Sequence, residues 1–307
     1  MKPTVRPLVA GNATRRARIA LFLSGSGSNA ERVLARIRAA VASPCEVAVL
    51  VTDAPESSRA RELGRLYDLP VIEHDIRRFY AEHGESCVSI ATPRGQELRE
   101  RWTDGIRLRL APYAIDFAVF AGFVPLTNLT RDLPCLNVHP GDLMVRKEGR
   151  RHLVGLHTVP IERAILEGLD ELRSSVIQAL PYSAGADMDN GPILGLSGPV
   201  PIDLHGADLD DLRRQFQARP ARRPKDGYGD PLERLARAHQ DILKEHGDWV
   251  VLPPVVEDVA AGRFGADEVD GLWFRLGTVW HPIETVVYAA DGSREIRFRS
   301  VGDTATG

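Results

Sequence analysis

Three short stretches hold the side chains able to do chemistry: Ser24-Gly-Ser-Gly-Ser-Asn29, Cys135-Leu-Asn-Val-His-Pro140 and Asp187-Met-Asp-Asn-Gly-Pro192. The first is a glycine loop. The second sets Asn137 and His139 two residues apart, and on a strand that spacing sends both side chains from one face. The third puts a carboxylate, Asp189, in a turn. An amide donor, an imidazole and a carboxylate beside an anion-binding loop are the parts needed to move an acyl group onto an amine.

Each stretch also has a plainer reading. Glycines let the loop backbone approach a ligand, and free N–H groups at a helix start attract a phosphate or carboxylate. A tight strand-to-helix turn would use the same residues. Gly25-x-Gly27-x-x-Ala30 also satisfies the dinucleotide fingerprint, with Asp53 standing where a ribose-binding acid belongs. The loop alone leaves these open, and an NAD(P)-binding oxidoreductase remains an alternative. A lone histidine ending a strand is most simply structural. Asn137 beside it presents a second N–H, which suits an oxyanion. Asp189-Asn-Gly-Pro by itself is a turn. His152 and His157, five apart, match no metal spacing, so no metal is expected. The Arg/Lys-rich residues 219–225 read as a solvated loop.

The elements that must position these groups are those of an α/β protein. Ala17-Arg-Ile-Ala-Leu-Phe-Leu23 and Glu46-Val-Ala-Val-Leu-Val-Thr52 read as buried parallel strands. Between them Ala30, Val33, Leu34, Ile37, Ala40 and Val41 recur at helical spacing, with Ser28 or Asn29 as cap. An arginine-rich helix, Leu69-Pro-Val-Ile72, a long polar helix from about Pro93, Phe117-Ala-Val-Phe-Ala121 and Leu136-Asn-Val-His139 continue the alternation. That pattern implies a mostly parallel sheet with helices on both faces.

Residues 174–180 and 195–202 flank the Asp189 turn as a connected strand pair. Asp230-Pro231 starts a helix that Gly247 is expected to stop. Asp291-Gly292 between Val286-Val-Tyr288 and Ile296-Arg-Phe298 signals a two-residue hairpin. The expected organisation is a flexible arm over residues 1–16, then one domain over 17–307 with an enlarged C-terminal region from about 203.

Composition narrows the function classes. The chain has 307 residues, a hydrophobic fraction of 43% and a net charge of -3, so neither nucleic acid nor an anionic membrane surface is favoured. Cys45, Cys87 and Cys135 form no Cys-x-x-Cys pair and no disulfide framework, which fits a reducing cytoplasm. No run approaches the ~20 apolar residues of a membrane span, and the N-terminus lacks the apolar core of a secretory signal.

Taken in order, Leu23-Ser-Gly-Ser-Gly-Ser-Asn29, Ala121-Gly-Phe123, Leu136-Asn-Val-His-Pro140, Gly155-Leu-His-Thr158 and Met188-Asp-Asn-Gly-Pro192 resemble the folate-dependent formyltransferases, and among them the glycinamide ribonucleotide branch. The resemblance implies a Rossmann-like formyltransferase fold, 10-formyltetrahydrofolate as co-substrate and a small, phosphorylated amine as acceptor, either like glycinamide ribonucleotide or an amino-sugar nucleotide. By position it makes Asn137, His139 and Asp189 the catalytic trio. It assigns Gly27, Ser28 and Asn29 to the acceptor's phosphate, and Phe123, Val124, Pro125 and Leu126 to the folate pocket. It also implies one-carbon metabolism and purine biosynthesis, and a homodimer is compatible with it. Hydrolysis of the same folate is a second alternative; deformylases of this kind usually carry an N-terminal regulatory domain, whereas about sixteen residues precede the first strand here.

The chain departs from the family pattern around both pockets. Gly141-Asp-Leu143 leads into a longer, basic segment at 146–152, and Pro125 stands where a basic residue is usual. Residues 181–186 lengthen the Asp189 loop, and the region after about Ala218 is enlarged. These changes bear on the acceptor, whose identity the residues leave open.

Overall fold

Alternation along one strand sets the architecture. After a short strand β1 (Arg6–Pro7), β2 (Ala17–Phe22) sends Ile19 and Leu21 into one apolar cluster and Ala20 and Phe22 into another. A strand apolar on both sides must be covered on both faces. The computed structural model that shows this describes residues 3–10, 15–182, 189–224, 227–269 and 271–299. Part of the expected arm, most of the 181–186 insertion, Met188 and Lys225 lie outside the described residues.

A parallel block forms from β2, β3 (Cys45–Thr52), β4 (Val71–Glu73), β5 (Phe117–Phe120) and β6 (Cys135–His139), in spatial order β6-β5-β2-β3-β4. Helices α1 (Ser28–Ala39), α2 (Ala60–Tyr67), α3 (Ile76–Glu82) and α4 (Pro93–Leu110) connect these strands. Leu98, Trp102 and Ile106 of α4 cover one face with Ile76 and Tyr80 of α3. Ala30, Val33 and Leu34 of α1 cover the other. Helix α1 begins at Ser28, and Gly27, with φ 65°, is its N-cap with no side-chain cap, so neither Ser28 nor Asn29 plays the expected capping role.

Beyond β6 come two short hairpin strands, β7 (Arg146–Lys147) and β8 (Arg150–Arg151), then helix α5 (Val159–Glu167). Strands β9 (Glu171–Leu172), β10 (Ser175–Ala179), β11 (Ile193–Ser197) and β12 (Val200–Pro201) follow. β10 runs antiparallel to both β6 and β11, so the expected pair flanking Asp189 forms. The sheet is completed by β13 (Phe264–Ala266), β14 (Leu272–Leu276), β15 (Val279–Tyr288) and β16 (Arg294–Phe298), which among the described residues makes twelve strands joined in one mixed sheet. The first half of β15 pairs with β14 and the second half with β11 and β16. The β15–β16 hairpin forms, but Ala289 N donates to Ser293 O, leaving a three-residue loop rather than two.

Three expectations are corrected. Residues 6–9 are held rather than loose: Arg6 and Pro7 pair with Ala266 and Gly265, and Val9 is buried. Gly247 does not stop the chain's helix. Helix α6 (Leu209–Gln217) is followed by α7 (Pro231–Leu243), which Asp230 caps as expected. α7 then passes through a π-helical turn, Lys244–Asp248, into α8 (Trp249–Ala260). Gly247 marks a close approach instead, because a Cβ there would lie 2.5 Å from Ser174 Oγ. The basic stretch from 219 is not simply solvated either. The Arg219 side chain, 7% exposed, lies between Glu162 of α5 (2.5 Å) and Asp230 (2.6 Å), fastening the enlarged region to α5, and Arg223 pairs with Glu233 of α7.

Candidate active site

The carboxyl ends of β2, β5 and β6 open into a cleft of about 480 Å³, where an open parallel sheet binds its ligands. All ten residues that the family resemblance assigns to a site line it: Gly27, Ser28, Asn29, Phe123, Val124, Pro125, Leu126, Asn137, His139 and Asp189.

β6 delivers the first pair. Asn137 and His139 sit opposite Ile177 and Ser175 of β10, and the chain then turns at Pro140 and Gly141. Ser175 Oγ secures that turn, donating to Gly141 O (2.7 Å) and accepting from Leu143 N (3.0 Å). His139 is buried. Its Nε2 lies 2.6 Å from Leu153 O, which as a pure acceptor fixes the proton on that nitrogen. Nδ1 is therefore the nitrogen left toward the cleft, 3.5 Å from Asp189 Oδ2. Gly141 makes this possible: a Cβ there would stand 2.7 Å from Leu153 O and 3.0 Å from His139 Nε2. Arg163 of α5 pins the carbonyls on either side, those of His152 (3.1 Å) and Val154 (2.7 Å).

Asp189 is buried and left-handed, with φ 63°. Its Oδ2 accepts a long bond from Gly155 N (3.4 Å), while Arg151 holds the carbonyls of Asp189 and Gly191 (2.7 Å to the latter). Burial, then the nearby Arg146, lowers the Arg151 pKa from its ordinary value, and Asp189 opposes that.

The glycine loop offers main-chain groups. The first helical bond is Glu31 N to Gly27 O, so the N–H groups of Ser28, Asn29 and Ala30 precede it, and the first two belong to residues that line the cleft, where a helix start attracts an anion. The Asn29 side chain is spent elsewhere: its Nδ2 donates to Asp248 Oδ2 (2.9 Å), whose Oδ1 accepts from Ser174 Oγ (2.6 Å). Burial raises the Asp248 pKa, against the pull of those two bonds.

Asp53 is not a ribose-binding acid. It is buried, does not line the cleft, and accepts from Ser24 Oγ at 2.5 Å. This removes the acid on which the dinucleotide reading depended. Ser24 Oγ in turn accepts from Val124 N (3.0 Å), and Ser24 N donates to Gly122 O (3.1 Å), tying the glycine loop to the 122–127 loop. Arg99 (to Leu126 O, 2.8 Å) and Thr103 (to Thr127 Oγ1, 3.1 Å) brace that second loop from α4. Phe123 turns its ring inward onto Phe22 (5.1 Å), whereas Val124 and Leu180 stay half exposed in the cleft. Ser24, Leu153, Arg151, Gln240, Lys244 and Asp248 were not singled out. Only the serine lay inside a recognised motif.

No protein-family model matches the sequence, and no curated protein matches it. Solved structures do. Glycinamide ribonucleotide transformylase 1 from Symbiobacterium toebii matches over 83% of this chain and 94% of its own, at 21% identity and a TM-score of 0.51. Phosphoribosylglycinamide formyltransferase from Coxiella burnetii matches over 85% and 94%, at 16% identity and 0.52. That from Anaplasma phagocytophilum matches over 90% and 99%, at 15% identity and 0.54. The chain thus has the Rossmann-like fold of the formyltransferases.

Proposed function

We propose that the protein is a formyltransferase of the folate-dependent family, moving a formyl group from 10-formyltetrahydrofolate to the amine of a small, phosphorylated acceptor. The observation that carries this reading is the convergence of Asn137, His139 and Asp189, from distant parts of the chain, on one cleft whose other wall is a helix-start anion site. The likeness in fold to glycinamide ribonucleotide formyltransferases supports it and makes that nucleotide or a relative the first acceptor to try. The apolar wall fits a flat heteroaromatic ring: Val124 and Leu180 are half exposed within a cleft, where uncovered apolar surface calls for a partner.

The folate supplies the formyl carbon and the N10 nitrogen that departs. The chain's residues do the rest. Ser28 and its neighbouring N–H groups hold the acceptor's phosphate, so its neutral amine is presented to the formyl carbon. Asn137 donates to the formyl oxygen as negative charge develops there. His139, as an imidazolium carrying its second proton on Nδ1 with Asp189 beside it, is the second donor, on the cleft side of a ring fixed by Leu153 O. Each such donor contributes about 3 kcal/mol. Asp189 holds that imidazole and takes part in returning the proton lost by the attacking amine to the departing nitrogen.

The test is incubation of the full chain with 10-formyltetrahydrofolate and a panel of phosphorylated amines, followed by mass analysis. An acceptor heavier by one formyl group supports the reading. Formate released without any formylated product would convert it to the hydrolase, and no consumption of the folate at all would end it.

A further inference from the structure

The basic hairpin at 146–151 is left unused by the formyl-transfer reading, yet it reaches the turn that carries Asp189. We propose that Arg151 is a positioning residue, fixing the Asp189 carboxylate beside His139 by clamping the main chain of its turn. The consequence for turnover rests on the proposed formyl transfer; the clamp itself does not.

Among the described residues, the carboxylate's own contacts are too long to place it. Gly155 N lies 3.4 Å and His139 Nδ1 3.5 Å from Oδ2, at or beyond the limit of a hydrogen bond. Its position is therefore set by the backbone, and that backbone is in an unfavourable state. A left-handed φ of 63° is uncommon at a residue with a Cβ, least so at Asn and Asp, and it is held where the surroundings support it. Two supports do so. On one side the turn presses against β10: a Cβ on Gly191 would sit 1.7 Å from Gln178 O. On the other, the two terminal nitrogens of Arg151 grip the carbonyls of Asp189 and Gly191, two residues apart. A planar guanidinium with fixed donor directions sets the rotation of the turn as well as its distance, which a lysine cannot do.

Arg151 does not line the cleft, so it acts through Asp189 rather than on a substrate. The hairpin that carries it is itself anchored. His152 N donates to Val145 O (3.0 Å), and Lys147 and His152 both reach Glu167 of α5 (2.7 and 3.1 Å).

The experiment compares Arg151→Met and Arg151→Lys with Arg150→Ala, an exposed neighbour, in the full chain with and without Asp189→Ala. Arg151→Met is expected to lower kcat about tenfold to thirtyfold, with both KM values within about twofold. Arg151→Lys, keeping charge without the fork, should lose about threefold and serves by the same criteria where the methionine variant does not fold. In the Asp189→Ala background either change should alter kcat less than about twofold, since the group being positioned is gone. Hydrogen exchange over residues 189–194 should rise at least about tenfold in Arg151→Met and stay native in Arg150→Ala. An unchanged kcat, or an equal loss in the Asp189→Ala background, overturns the positioning role. If the native chain formylates no amine, the proposed function fails alone, and the exchange measurement then decides the clamp: native exchange in Arg151→Met rules it out.

Discussion

The cleft has two sides made by different means. On the side built from residues 17–139, the groups offered to a ligand are the side chains and loop ends that the motif spells out: the N–H groups after Gly27, and Asn137 at the end of β6. On the side built from residues 140–260, the side chains matter through what holds them. Leu153 lends its carbonyl to His139, Arg151 grips two carbonyls, and Asp248 is buried on Asn29 and Ser174. The difference teaches that one wall is written in residue identity and the other in backbone placement.

The largest expected effects test whether both walls serve one reaction. His139→Ala and Asp189→Asn should each lower formyl transfer by at least about a hundredfold, the loss expected of an oxyanion donor or a proton-transfer group. Ser28→Glu should instead raise the acceptor KM through repulsion of its phosphate while kcat holds. Steady-state kinetics with the acceptor found in the mass screen checks all three. Near-native transfer in both of the first two variants would separate the walls and remove the common mechanism.

A smaller effect sharpens the claim about backbone placement. Gly141→Ala adds one methyl at 2.7 Å from the carbonyl that orients His139. Overpacking of this kind costs about 1–3 kcal/mol, and here the movement falls on the imidazole. A drop in kcat of about tenfold, with Tm lowered by only a few degrees, is the expected pattern. The reverse pattern, a lower Tm and an intact kcat, would mean that Leu153 O supports the fold and not the ring.

Smaller again is the contribution of the buried carboxylate under the glycine loop. Burial raises the Asp248 pKa, so this group's favourable contribution to stability is complete below the ordinary Asp range and is lost as pH rises through the raised value. An asparagine there cannot ionise. After Asn29 turns its amide over, its Oδ1, buried without a partner, can accept from the new side chain. Asp248→Asn is therefore expected to be more stable than the native chain at pH 7, on the order of 1 kcal/mol, with the gap closing toward about pH 4. Urea unfolding at the two pH values measures it. An asparagine variant less stable at pH 7 would show that the charge itself is needed.

The same contrast explains what was legible in the sequence. The parallel block could be read because strands buried on both faces are near-continuous apolar runs, and residues 19–23 are one. Asn137 and His139 could be paired because strand period fixes their common face. The hairpin strands β13 and β14 escaped because Phe264–Ala266 is too short to show an alternation, although Asp270-Gly271 before Leu272–Leu276 is a turn signal of the same kind as Asp291-Gly292. Gly247 misled because glycine serves both as a helix stop and as a site of close approach, and only the neighbour Ser174 distinguishes them. Asp53 misled similarly: its place after β3 suits a ribose acid, but its partner, Ser24, is decided by tertiary packing. Leu153 could not be found at all, since any residue has a carbonyl.

Ser24 is where the readable wall joins its own second loop, and its effect should be the mildest. A hydroxyl has one proton to give. By accepting it, Asp53 leaves the Ser24 lone pairs facing Val124 N, so the glycine loop and the 122–127 loop move as one. Ser24→Ala breaks both bonds but leaves Ser24 N on Gly122 O, and Val124 N can find water at the cleft edge. The loss is then about 1 kcal/mol, or roughly a fivefold rise in the folate KM with kcat nearly native. Asp53→Asn keeps an acceptor and should lose less, whereas Asp53→Ala should match Ser24→Ala. If Asp53→Ala instead leaves the folate KM unchanged while Ser24→Ala raises it, the hydroxyl needs no carboxylate to orient it, and the buried Asp53 has a different purpose from the one its position gives it.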